Sequence, residues 1–208
     1  YGMLNGGAEF FAGGTPQHGT TPLFRQPEGA AVDAAGNLYV ADRLQGLVIR
    51  LDPSGRVLNP RYVVVTRPRV LAMDREGQLW VASDGDAEAP WQSGPGAIWR
   101  VDPDGMPRLV LRGPMTAGMS VGPGRDLLVA DRQAGEIFVL NPAGKRTEFA
   151  RFTYGDTPRS LVFAPVTGET RRTGIAGDLF VVTVTRGAWP VNEVIRISGP
   201  FEEFLRNR

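Results

Sequence analysis

A chain of 208 residues with a formal net charge of +1 has room for a sizeable core but no field strong enough to select nucleic acid or an anionic membrane. It holds no cysteine, which excludes disulfides, thiolate metal sites and cysteine catalysis. No apolar run approaches the ~20 residues of a membrane span.

Lys145 is the sole lysine, so nearly all the positive charge is arginine. The 27 glycines and 17 prolines suit many short turns. No amphipathic stretch of helical period stands out, so almost no helix is expected.

Taken in order, the chain opens on Met3–Ala12, whose pattern resembles that of Val139–Ala150 with a shorter turn. The later stretch reads as the third and fourth strands of a small sheet, so residues 1–14 are expected to be half of such a unit. Residues 13–26 form a long connection and contain His18, the one histidine.

The first complete module follows. It has an apolar run at Ala30–Val32, a turn at Asp33–Asn37, a strand at Leu38–Ala41 and Asp42 at its end. A polar bend then leads to a strand at Leu47–Leu51, closed by Asp52-Pro53-Ser54-Gly55, and Tyr62–Val65 is expected as the outer strand.

The module recurs with Trp80, Leu128 and Phe180 in the place of Tyr39. A period of roughly 40–50 residues with about four strand-like runs per copy is the signature of a β-propeller. The expected fold is therefore all-β, one domain over 1–208, with blades at about 27–65, 66–113, 114–153 and 154–208. Phe201–Leu205 is expected as the outer strand of the last copy. Six blades need roughly 240–270 residues, so the chain is expected to be a fragment of a longer propeller.

Insertions lengthen the second and fourth copies. Ser83–Gly96 and Thr185–Asn192 lie between second and third strands, on the same face as the inter-blade connections. Pro165–Gly177, with Arg171 and Arg172, lies on the opposite face.

Several residues depart from, or recur in, the repeat in ways that suggest chemistry. Asp42, Asp84 and Asp131 end second strands and would ring the mouth of the channel. They would bind a cation there, or accept backbone N–H bonds in the turn that follows. Arg69 and Arg159 stand at the axial end of their blades. They would clamp a carboxylate or phosphate, or pair with Asp84, Asp131 or Glu28. Trp91 and Trp189 sit in the long loops of the expected ligand face. They would stack on a sugar, enter a partner interface, or pin their own loops. Trp80 and Trp99 read as core, and Arg50, Arg100 and Arg196 as outward-facing. Asp33 and Asp74 read as turn residues. One histidine outside the repeats leaves no material for a histidine cluster, and nothing near it suggests a Ser–His–Asp triad.

The stretch Pro27-Glu28-Gly29 through Asp33, Gly36-Asn37-Leu38-Tyr39-Val40-Ala41-Asp42 resembles NHL-repeat propellers and the related senescence-marker/gluconolactonase-like propellers. That resemblance implies a six-bladed propeller, commonly extracytoplasmic in bacteria, on a scaffold shared by lactonases, lyases and pure binding modules. A lactonase-type centre would hold Ca²⁺ on the axis. Glu28 matches the family's acidic ligand, with Asp84 and Asp131 as further metal candidates and Asp131 as the catalytic candidate. The corresponding positions of the other copies are Arg69, Ala117 and Arg159, and the family's Asn-Gly pair is absent at Ala117-Gly118. The leading expectation is a non-catalytic module without a cofactor. It would bind a protein partner or small ligand on its loop face through Arg69, Trp91, Arg159 and Trp189. The competing expectation is a calcium-dependent hydrolase of lactones or esters.

Overall fold

The structure is a computed structural model that describes residues 11–14, 22–85, 95–121, 126–153, 155–185 and 192–199. Four antiparallel sheets follow one another along the chain. The first contains β1 (Pro27–Val32), β2 (Leu38–Asp42), β3 (Leu47–Leu51) and β4 (Val57–Val64). The second contains β5 (Pro68–Met73), β6 (Leu79–Ser83), β7 (Gly96–Val101) and β8 (Pro107–Gly113). The third contains β9 (Thr116–Val121), β10 (Leu127–Asp131), β11 (Glu136–Leu140) and β12 (Arg146–Arg151). The fourth has three described strands, β13 (Asp156–Phe163), β14 (Leu179–Thr185) and β15 (Asn192–Ile197). The expected outer strand Phe201–Leu205 lies outside the described residues.

Each sheet is a meander because its turns are self-contained. The Asp33 carboxylate accepts the N–H groups of Ala35 and Asn37, both at 2.9 Å. Asp74 repeats this with Glu76 and Gln78 at 3.0 and 2.9 Å. A short acid holding the turn N–H groups fixes where one strand stops and the next begins.

β1 lies beside β5, β5 beside β9 and β9 beside β13, so the first strand of every sheet is innermost. The sheets stack face to face. Tyr39, Ala41 and Val48 of the first pack on Leu71, Leu79 and Val81 of the second. Trp80, Ala82 and Ile98 pack in turn on Leu127, Val129 and Phe138 of the third. Leu128, Ala130 and Ile137 then pack on Leu161, Leu179 and Val181 of the fourth. Strand alternation sends successive side chains to opposite faces, so each central strand serves two interfaces at once.

The outer strands fit into the turns of the following sheet. A Cβ on Gly105 would stand 2.1 Å from the Tyr62 carbonyl of β4, and one on Gly55 would stand 2.2 Å from the Phe11 carbonyl. Backbone therefore passes where any other residue would carry a side chain.

Two details differ from expectation. β4 begins at Val57 rather than Tyr62, because Pro60 is tolerated in the outermost strand of a sheet. The Pro165–Gly177 insertion contains one helical turn, α1 (Gly168–Arg172). Thr167 and Thr170 cap it reciprocally, the Thr170 N–H donating to Thr167 Oγ1 at 3.2 Å and the Thr167 N–H to Thr170 Oγ1 at 3.0 Å. Among the described residues no helix is long and apolar enough to cross a membrane.

Candidate functional site

The start of the innermost strand is irregular in the same way in every sheet. Pro27 pairs with Asp42 and Gly29 with Ala41, which leaves Glu28 as the extra residue of a β-bulge. Arg69, Ala117 and Arg159 are the extra residues at the same place in β5, β9 and β13. A bulge takes one side chain out of the alternation and re-aims it. Four such side chains thus come from the innermost strands at one end of the molecule. Gly29 follows its bulge for a steric reason, since a Cβ there would stand 2.3 Å from the Arg69 carbonyl.

A second set of positions sits just beyond the second strands. The N–H of Arg43 donates to the Gln26 carbonyl at 2.9 Å, that of Asp84 to Arg67 at 3.1 Å and that of Arg132 to Met115 at 3.0 Å. Arg43, Asp84 and Arg132 are therefore equivalent. Asp42 and Asp131 are not equivalent to Asp84, because their partner in the second sheet is Ser83, the last residue of β6. Asp84 stands one residue further on, and one residue reverses the direction of a side chain in a strand.

That offset decides what each aspartate does. The Asp42 carboxylate accepts the N–H groups of Arg25 at 2.6 Å, Gln26 at 3.2 Å and Gln45 at 3.0 Å, plus Gln45 Nε2 at 2.8 Å. Asp131 Oδ1 accepts the N–H groups of Met115, Gln133 and Ala134 at 3.3, 3.0 and 3.2 Å. Both tie the turn to the segment entering the blade. Asp84 instead meets two arginines.

Glu28, Arg69, Asp84 and Arg43 close a ring of alternating charge across the first two sheets. Arg69 Nε lies 3.1 Å from Glu28 and Arg69 Nη1 3.7 Å from Asp84. Arg43 Nη2 lies 3.1 Å from Asp84 and Arg43 Nε 3.7 Å from Glu28. Glu28 also accepts Gln26 Nε2 at 2.7 Å. The Asp84 side chain is 7% exposed, while Glu28 and Arg69 keep 24% and 29% of theirs in solvent. Each carboxylate stands between two guanidinium groups.

This arrangement does not fit the calcium centre that the sequence resemblance implies. Glu28 and Asp84 share their oxygens with arginines, and Asp131 is engaged by three N–H groups in the third sheet. Among the described residues no three His, Cys, Asp or Glu side chains converge as a metal site. A cation placed between Glu28 and Asp84 would meet Arg43 and Arg69, and like unit charges ~4 Å apart repel by about 4 kcal/mol at an effective dielectric constant of 20.

The same positions in the third and fourth sheets are occupied by Ala117, Arg132, Arg159 and Val184. Two arginines and no acid stand there. Sequence reading did not single out Arg43 or Arg132. The signal was their place one residue after the strand-ending Asp42 and Asp131. Trp91, Trp189 and His18 lie outside the described residues.

The opposite face carries a cleft of about 470 Å³ between the turns of the first two sheets. Arg50 sits there with its guanidinium 5.5 Å from the Tyr39 ring centre and 5.8 Å from that of Tyr62. Its outward-facing charge is thus laid on aromatic rings, and Asp33 is 3.6 Å away. Of the tryptophans in strands, Trp80 is 1% exposed. Trp99 is half-buried and donates to Ser83 Oγ at 3.0 Å.

The inner strands, stacked meanders and repeated bulges define a β-propeller. No protein-family model and no curated protein matches the sequence. Solved structures do match the fold. A gluconolactonase from Xanthomonas campestris aligns with a TM-score of 0.57 at 19% identity, over 86% of this chain and 66% of that one. A virginiamycin B lyase from Staphylococcus aureus aligns at 0.55 and 14%, over 84% and 57%. A hydrazine synthase from Kuenenia stuttgartiensis aligns at 0.59 and 17%, over 83% and 46%. The chain thus spans between about half and two thirds of the length of these neighbours. They include gluconolactonase-like propellers, the group the sequence resembles, and at these identities the likeness is one of fold.

Proposed function

We propose that this chain is an NHL-like propeller binding module. Its loop face takes a carboxylate- or phosphate-bearing part of a partner protein or small ligand. Arg159 supplies the principal cationic contact and Arg69, shared with Glu28 and Asp84, a weaker one, with Trp91 and Trp189 as the stacking residues. The observation that supports this reading is the distribution of charge over the two sets of equivalent positions. The first two sheets place Glu28, Arg69, Asp84 and Arg43 at these positions, and the third and fourth add two further guanidinium groups, Arg132 and Arg159. Guanidinium groups suit oxyanions because they offer paired N–H donors in one plane.

The competing reading is a calcium-dependent hydrolase of lactones or esters centred on Glu28, Asp84 and Asp131. Its support is the fold shared with a gluconolactonase, and the paired arginines oppose it.

Calorimetric titration separates the two. Citrate serves as the polycarboxylate probe, glucose as the neutral control and Ca²⁺ as the cation. The binding module takes up citrate but not glucose, and Arg159→Gln weakens citrate binding at least tenfold, a loss of about 1.4 kcal/mol. Uptake of Ca²⁺ that disappears in Glu28→Gln, with no uptake of citrate, would overturn the proposal.

A further inference from the structure

The cleft between the turns of the first two sheets holds a charge that the repeat does not explain. At the next interface Trp80 and Val110 take the places of Tyr39 and Tyr62, since the Val110 carbonyl meets the turn at Gly144 as the Tyr62 carbonyl meets Gly105. The Trp80 indole donates to Asp74 at 3.2 Å where the Tyr39 hydroxyl donates to Asp33 at 3.1 Å. Holding the turn therefore needs no phenol. Among the described residues Arg50 alone lies over two rings, and those rings meet edge to face with centres 5.3 Å apart.

Stacking uses the faces of a guanidinium and leaves its N–H edge for an oxyanion. Among the described residues nothing takes that edge of Arg50 at hydrogen-bond distance. Asp33 Oδ2 stands 3.6 Å from Arg50 Nη2, and it already accepts Asn37 Nδ2 at 2.9 Å and the Tyr39 hydroxyl. Arg50 Nε is buried without a hydrogen-bond partner, while 32% of the side chain stays in solvent. Arg196, at the same place in the fourth sheet, is by contrast held by Asp178 and the Gly174 carbonyl.

We propose that this cleft binds a compact monocarboxylate with a planar, apolar body. The carboxylate lies along the edge of the Arg50 guanidinium, and the body rests against Tyr62, Ala35 and Pro103. The volume of about 470 Å³ is that of a small-molecule site. Asp33 and Glu76 line the same cleft, so a second negative charge on the ligand is repelled. The cleft thus selects a different class of anion from the loop face, where citrate is the probe.

Calorimetric titration of the 208-residue chain with benzoate tests this, with benzamide as the neutral analogue and isophthalate as the dianion. Benzoate binds, benzamide does not, and isophthalate binds at least about tenfold more weakly. Arg50→Met keeps an unbranched stem on the rings but removes the charge, and circular dichroism checks its fold. Ala35→Glu leaves Arg50 untouched and sets a rival carboxylate at an exposed turn position on the cleft. Each variant weakens benzoate binding by at least about tenfold, and Arg159→Gln on the opposite face leaves it unchanged. Failure to take up benzoate at millimolar concentration would overturn the proposal, and so would equal uptake of benzamide. Uptake that persists in Ala35→Glu or in a folded Arg50→Met would overturn it too. Uptake abolished by Arg159→Gln would do the same, and would assign the benzoate to the loop face.

Discussion

Asp131 shows how much a carboxylate's role depends on which oxygen is used. All three backbone donors fall on Oδ1. Asparagine keeps an oxygen there, so Asp131→Asn is expected to cost no more than about 1 kcal/mol. Asp131→Ala leaves buried N–H groups without an acceptor and is expected to cost about 2–3 kcal/mol in urea unfolding. Equal damage from the two substitutions would contradict the turn role. Asp42 takes hydrogen bonds on both oxygens, whereas Asp131 Oδ2 faces the Arg146 guanidinium at 3.9 Å, so the asparagine variant of Asp42 is expected to be the worse of the two. Acid stability follows from similar bonds. Burial pushes the carboxyls of Asp33 and Asp42 up. Hydrogen bonds from the side chains of Asn37 and Gln45, joined by backbone N–H groups, outweigh it and hold both below the usual range. The Ser54 hydroxyl is the main cause that brings Asp52 down to about 2. With folded values below an unfolded value of about 3.9, their contribution is complete above pH ~4 and is lost as pH falls through the folded values. Burial raises Tyr39 to about 12, so its contribution is complete below an unfolded value of about 10 and is lost as pH rises towards about 12. A melting temperature measured against pH is expected to be flat near neutrality and to fall at both ends. A fall already under way between pH 7 and 5 would contradict this.

The strands and their turns were legible in the sequence because Asp, Gly and alternating apolar residues encode them locally. Tyr39, Trp80, Leu128 and Phe180 occupy equivalent places in β2, β6, β10 and β14, as the repeat requires. Register was less legible. Matching Asp84 to Asp42 and Asp131 by residue type skipped Ser83, and that one-residue slip separates a turn acceptor from an ion-pair partner. The bulges were hidden for the same reason, since an extra residue shows only once two strands are paired. α1 was missed because a threonine stands where the usual capping box has Glu or Gln. Turn glycines separate strain from collision. Gly77 has φ +77° with nothing within 4 Å of an added Cβ, so Gly77→Ala is expected to cost about 1–2 kcal/mol for the left-handed backbone alone. Gly105 has φ +87° and the Tyr62 carbonyl in the way, so Gly105→Ala carries the same strain plus a displaced β4. Urea unfolding is expected to rank Gly105→Ala as clearly the worse, and equal costs would contradict the packing of outer strand into turn.

Relations between sheets were the least legible, because residues about 41 positions apart meet only when two blades stack. Arg43 and Asp84 are such a pair, at 3.1 Å, and nothing local to Arg43 announces it. Glu28 looked like a metal ligand when read within its own blade. Its environment is set by Arg69 of the next one. The first two sheets close their end of the molecule with guanidinium–carboxylate pairs, and the proposed function takes oxyanions there rather than a divalent cation. Thermal unfolding of the chain with millimolar Ca²⁺, with a chelator and with citrate tests this most directly. A ligand held only by the native state stabilises it by about 2.7 kcal/mol at a hundredfold excess over its dissociation constant. The account predicts one melting temperature with Ca²⁺ and with chelator, and a rise with citrate that Arg159→Gln removes. A rise with Ca²⁺ that Glu28→Gln abolishes would contradict it.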